Sequence, residues 1–221
     1  MPTKRFTLID GIFFLIWAIP AIYLAVIYSS LPEQVPLHFN SGGQPDRFGA
    51  RSAFLWYMVL LQVVSVGVYF LIRFLPEIDP KKKIKYSRRV LTQISYAVIT
   101  FMAALSVFVI YGTVRGHLNL NTHYLYAAIA LLMAYLGNLF NNLKPNYFVG
   151  IRTPWTLENE TVWKKTHQLG GRLWLGGGLI LALACMLAPG NWTKGIFAAG
   201  IAILVLVPVV YSYLAFKKIA E

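Results

Sequence analysis

The sequence predicts an all-α membrane protein of six transmembrane helices with both termini in the cytoplasm, and three observations carry that prediction. The 221 residues are 57% hydrophobic and only 13% charged, against about a quarter charged in ordinary soluble domains. Apolar runs occur at about 8–28, 53–75, 93–112, 122–140, 172–188 and 193–216, each near the roughly 20 residues that a helix needs to cross hydrocarbon. With the N-terminus inside, 16 of the 20 Lys and Arg fall on one side of the membrane, as cytoplasmic loops require.

Lys4 and Arg5 precede the first run as in a signal peptide. The run is longer than an h-region of about 7–15 residues, so it reads as a retained anchor. Residues 1–75 form a two-helix unit with an extracytoplasmic loop, 76–92 a basic cytoplasmic loop, and 93–221 a four-helix unit with a cytoplasmic loop. The net charge of +12 is mostly a topology signal that favours anionic headgroups, and direct nucleic-acid binding is the poorer reading. Cys185 is the single cysteine, so it makes no intramolecular disulfide and packs as an apolar side chain.

The outer loop LPEQVPLHFNSGGQPDRFGARS, 31–52, contains Pro32, Pro36 and Pro45 and the turn Ser41-Gly42-Gly43. Proline forbids a continuous helix here and the glycines signal reversal. A reversal about Gly42 pairs residues whose numbers sum to 84, which sets His38 opposite Asp46 and Asn40 near the turn. A small hairpin cap results, pinned by a His38–Asp46 hydrogen bond; a metal or ligand site is the sharper, disfavoured alternative. The basic block 76–89 reads as topogenic and lipid-contacting. His117 and His123 flank the short outer loop 113–121, where nothing requires chemistry.

The remaining cytoplasmic segment runs NNLKPNYFVGIRTPWTLENETVWKKTHQLGGR, 141–172. Pro145, Gly150 and Pro154 keep its first half extended, while Thr153 before Pro154, or Thr156 before Leu157, offers an N-cap. Trp155, Val162 and Leu169 recur at a spacing of seven, which predicts an interfacial helix before the fifth span, ended by Gly170-Gly171. Asn138 and Asn142 share one helix face and read as structural glue.

Chemistry is sparsely supported. Asp10, Arg73 and Arg172 lie near the ends of their runs, so the midplane charges of an ion-coupled carrier are missing. Glu158, Glu160 and His167 suggest a metal or acid/base site, but a Glu160–Lys164 pair at i, i+4 explains the same residues more simply. No H-E-x-x-H, G-x-S-x-G or phosphate-binding glycine loop occurs. The residues therefore assign no catalytic group, no metal ligand and no cofactor. The Asn-x-Thr triplets at Asn159 and Asn191 are too common to carry weight.

Two segments resemble known families. LPEQVPLHFNSGGQPDRFG, 31–49, is similar to the L-P-x-x-V-P-x-H-F-N-x-x-G-x-P-D-x-x-G pattern of a bacterial membrane domain of unknown function. Residues 137–174, with N-x-x-x-G-I-R-T-P-W-T and E-x-V-W-x-x-T-H, resemble the core of the SdpI family of multi-pass membrane proteins. The resemblance implies a bacterial cytoplasmic (inner) membrane protein that gives immunity to a secreted, membrane-damaging peptide. It further implies signal transduction by sequestering a small cytosolic repressor at the membrane.

The matching positions are His38, Asn40, Gly43, Pro45 and Asp46 outside. Inside they are Asn142, Asn146, Gly150, Arg152, Thr153, Pro154, Trp155, Glu160, Trp163, Thr166 and His167. On this reading His38, Asn40 and Asp46 face the peptide. Asn142, Asn146, Arg152, Trp155, Glu160, Trp163 and His167 form the inner motif that docks a partner. The rival from another class is a membrane-embedded enzyme or metal-binding protein acting on a lipid-linked substrate; a transporter comes third.

Overall fold

The computed structural model describes residues 6–40, 42–78, 88–116 and 122–220. Most of the basic block, Lys81 to Lys85 included, and His117 lie outside the described residues. The elements in chain order are α1 (Leu8–Ile27), β1 (Gln34–Phe39), β2 (Pro45–Ala50), α2 (Arg51–Ile78), α3 (Arg88–Arg115), α4 (Thr122–Phe140), α5 (Pro154–Glu158), α6 (Glu160–Leu187) and α7 (Gly190–Ala220). Among the described residues six helices are long and apolar enough to cross a membrane, and the chain is a multi-pass, all-α membrane protein. Leu15, Ile22, Val26, Leu60, Leu183 and Val210 are exposed, a surface that lipid covers without the cost of facing water.

The contacts divide the chain into two compact units, Met1–Ile72 with Gln93–Thr122, and Arg73–Thr92 with His123–Glu221. This grouping differs from the sequence division at 92/93, because most of α3 packs with α1 and α2. The reason is near its start: Tyr96 donates its hydroxyl to Asp10 at 2.8 Å and stacks on Phe13 with centroids 3.9 Å apart.

In the first unit Thr7 and Asp10 form a capping box that starts α1. Asp10 is 1% exposed, and its second oxygen accepts from Tyr69 on α2 at 2.6 Å. One carboxylate thus caps its own helix and ties two others, which offsets the cost of burying it.

The loop after α1 is the expected hairpin. β1 and β2 pair antiparallel, with Gln34 opposite Ala50, Val35 opposite Gly49 and Pro36 opposite Phe48, all pairs that sum to 84. A bulge then places His38 opposite Arg47, yet His38 Nδ1 still meets Asp46 Oδ1 at 2.6 Å. Val35 is fully buried with Leu24, Leu31, Phe54, Met58 and Ile110, so the hairpin is rooted in the helix ends. Arg51 adds a bond to the Leu31 carbonyl at 3.3 Å.

In the second unit α4 and α6 meet along small residues. A Cβ on Gly178 would lie 2.8 Å from the Ala130 carbonyl oxygen, and one on Gly171 2.9 Å from that of Gly137. Close backbone approach of this kind supplies helix association in lipid, where apolar side chains gain little by leaving the solvent. Trp174 Nε1 donates to the Leu204 carbonyl of α7 at 2.8 Å, and His123 Nδ1 to that of Cys185 at 2.9 Å.

One expectation is corrected here. The interfacial helix ended by Gly170-Gly171 does not exist as a separate element: only α5 stands apart, and α6 runs unbroken from Glu160 to Leu187. The glycines are packing sites inside the helix rather than stops. Asn159, with φ −130° and ψ 118°, makes the actual break, so Trp155 leaves the stripe of Val162 and Leu169.

Candidate functional site

The segment between α4 and α6 folds as a latch held from three sides. Asn146 is buried at its first bend. Its amide nitrogen donates to the carbonyls of Lys144 (2.9 Å) and Val149 (3.0 Å), while its oxygen accepts from the N–H groups of Phe148 (2.8 Å) and Val149 (2.7 Å). All of the amide's donors and both lone pairs are used. Gly150 follows at φ 115°, a conformation that L side chains avoid. A Cβ there would also meet the His167 ring and the Leu143 side chain.

The next residue makes the central contact. Ile151 N–H donates to His167 Nε2 at 3.0 Å, and His167 Nδ1 lies 2.9 Å from the Trp163 carbonyl. A carbonyl only accepts, so Nδ1 carries the proton and Nε2 is the acceptor. His167 therefore has no ring nitrogen left for a metal or a proton relay. Its ring stacks on Trp163 at 4.0 Å and meets Phe140 edge-on at 5.5 Å. Trp163 Nε1 donates to the Leu143 carbonyl at 2.9 Å, completing the second side.

The third side is α7. Thr153 caps α5 from just before Pro154, as the spacing predicts, in a box with Thr156. Its hydroxyl lies 3.0 Å from that of Ser212, and Trp155 packs on Tyr213 at 5.0 Å. Asn159 then caps α6 by accepting from Thr161 N–H (2.8 Å) and Val162 N–H (3.1 Å). Thr166 Oγ1 is buried without a hydrogen-bond partner among the described residues.

Of the seven inner residues expected to dock a partner, Asn146, Trp163 and His167 are instead buried, at 2%, 1% and 2% exposure. Their polar atoms are spent on the backbone of the loop and of α6, so they cannot present a surface. Asn142, Arg152 and Glu160 are exposed and Trp155 is half-buried. Arg152 reaches back to donate to the Tyr147 carbonyl. Lys165, Lys217 and Lys218, with Tyr211, Leu214 and Ala215, line an open cavity of about 550 Å³ between α6 and α7.

At the hairpin, Asn40 repeats the role of Asn146. Its side-chain oxygen accepts from Gly42 N–H at 2.8 Å and Gln44 N–H at 3.1 Å, and Gly43 takes φ 77°. His38 and Asp46 are both exposed beside it, at 61% and 45% of their side chains. Among the described residues no group of three His, Cys, Asp or Glu side chains converges on one point.

Two polar ties escaped the sequence reading. Asp10 carries a signal that would have found it, since Thr7-x-x-Asp10 before an apolar run is a capping-box pattern. Gln62 and Trp17 exchange bonds across α1 and α2: Trp17 Nε1 donates to the Gln62 carbonyl at 3.2 Å, and Gln62 Nε2 to the Trp17 carbonyl at 2.8 Å. No local pattern announces a pair separated by 45 positions.

Comparison with known proteins follows this division of the chain. Residues 15–63, most of α1, the hairpin and the first half of α2, match a domain of unknown function, and residues 142–212, the latch with α6 and most of α7, match the SdpI/YfhL protein family. The immunity protein SdpI of Bacillus subtilis is 22% identical over 194 residues, covering 88% of this chain and 89% of that protein. An uncharacterized protein of Archaeoglobus fulgidus is 51% identical over 46 residues, 21% of this chain and 24% of that one. No solved structure matches. The latch, α6 and most of α7 thus carry the chain's likeness to the SdpI/YfhL protein family.

Proposed function

We propose that this chain is a non-enzymatic immunity protein of a bacterial cytoplasmic membrane, protecting against, or sensing, a membrane-active toxic peptide. The observation that carries the reading is the match to an immunity protein along 88% of the chain, which itself holds six helices long and apolar enough to cross a membrane among the described residues. The geometry agrees with a non-catalytic role, because the motif residues that looked most reactive, His167 above all, hold a loop closed. The charge pattern supports a topology with both termini and the latch in the cytoplasm and the hairpin outside.

In this arrangement the hairpin residues His38, Asn40 and Asp46 and the adjoining helix ends meet the peptide. The exposed residues of the latch, Asn142, Arg152 and Glu160, offer a face to a small cytosolic repressor, and no nucleic acid is bound directly. The test is survival of a toxin-sensitive strain expressing the chain. Protection against at least one member of a panel of membrane-active peptides is expected; survival equal to the empty vector against all of them sinks the immunity reading. For signalling, Arg152→Ala is expected to weaken capture of the repressor at the membrane without lowering insertion, and unchanged capture counts against the docking face.

A further inference from the structure

The first unit holds an apolar groove of about 430 Å³ between α1 and α2, with Ser106 and Ile110 of α3 behind it. Its volume falls within the range of about 300–1,000 Å³ typical of small-ligand sites. Ala21 and Ala25 keep the α1 wall low, and Val59 and Val63 line the α2 wall.

One polar atom is out of place in it. Gln62 lines the groove and is 8% exposed, and its Oε1 is buried without a hydrogen-bond partner among the described residues. The amide orientation is fixed, because Nε2 must face the Trp17 carbonyl to which it donates at 2.8 Å; a flip would set oxygen against oxygen. Leaving a carbonyl oxygen unpaired in an apolar site is unfavourable, a cost that a ligand bearing a donor would remove.

Depth selects the ligand. Gln62 lies 11 residues beyond Arg51, the start of α2, or about 16 Å along a helix, close to the middle of a hydrocarbon layer about 30 Å thick. Phospholipid offers only methylene and methyl groups there. A hydrogen-bond donor at that depth belongs to an inserted solute, and a side-chain hydroxyl or amide on a membrane-embedded peptide supplies one.

We infer that this groove is a binding site for an apolar, membrane-inserted peptide segment, read by one hydrogen bond from a mid-segment side-chain donor to Gln62 Oε1. In naming a peptide as the occupant, the inference rests on the immunity reading. The donor requirement, however, comes from Gln62 alone.

The test uses two synthetic transmembrane peptides of Leu and Ala with Lys ends, identical except for Thr or Val at the centre. Each is labelled and titrated by energy transfer against the full chain reconstituted in phosphatidylcholine vesicles. The Thr peptide should bind about three- to tenfold tighter than the Val peptide. Gln62→Leu should erase that ratio, and Ala21→Phe, which fills the groove while keeping Gln62, should weaken both peptides. Equal or undetectable binding of the two peptides by the wild-type chain overturns the inference, as does a ratio that survives Gln62→Leu or affinities indifferent to Ala21→Phe. A chain that discriminates the peptides but protects no cell sinks the immunity reading and keeps the groove; protection without discrimination does the reverse.

Discussion

Ile151 and His167 are joined across 3.0 Å, the backbone N–H of one donating to Nε2 of the other, and that bond closes the loop onto α6. His167→Ala would leave the N–H unpaired and a ring-sized void beside Trp163 and Phe140. A loss of about 2–4 kcal/mol is expected, read as a lower unfolding midpoint in detergent and faster tryptic cleavage after Arg152. His167→Gln, which retains one polar partner, should recover part of the loss; equal behaviour of the two variants would argue against the bond.

Gly150→Ala tests the same closure from the opposite side. The positive φ and the clash with the His167 ring and Leu143 act together, so a cost of roughly 2 kcal/mol or more is expected. Gly11→Ala in α1, where a Cβ meets nothing within 4 Å, is the control and should be neutral or mildly stabilising. Comparable midpoints for the two variants would contradict the latch geometry.

Much of this architecture was legible in the sequence, and the misses share a cause. The six spans follow from runs of apolar residues, and the hairpin register from one glycine turn, because both are local and periodic. The His38–Asp46 contact survives a bulge that no sum rule foresees, since the exposed pair still reaches diagonally. The sequence leaves the inner segment open between a docking surface and a structural latch, because Trp163 and His167 look functional at the level of residue type. Their burial depends on Leu143 and Ile151 returning to α6, a tertiary event. Gly170-Gly171 read as a stop because a helix neighbour that needs small residues is invisible in one strand of sequence.

At the hairpin the two polar motifs should separate. Asn40→Ala frees the N–H groups of Gly42 and Gln44 and is expected to cost about 1–2 kcal/mol, whereas Asn40→Asp keeps the accepting oxygen and should be mild. His38→Ala removes only an exposed pair, so a stability change under about 1 kcal/mol is expected. If His38→Ala nevertheless abolished protection while leaving the unfolding midpoint in place, the pair would be assigned to ligand contact. A large stability loss would assign it to the cap instead.

The helix cap at Asn159 gives a fourth check. Asn159→Ala strips two N–H groups at the start of α6 of their acceptor and is expected to cost about 1 kcal/mol, with Asn159→Ser or Asn159→Asp close to wild type. Hydrogen exchange at Thr161 and Val162 reads this locally: faster exchange in the alanine variant alone is expected, and uniform exchange across all three would remove the cap from the account.

The most direct measurement is of membrane potential. Cells of a toxin-sensitive strain, with and without the chain, are loaded with a potential-sensitive dye and challenged with a membrane-damaging peptide from the survival panel. The account predicts that cells expressing the chain hold their potential at peptide doses that depolarise the vector control. Identical depolarisation in both, with the protein verified in the membrane, would contradict it.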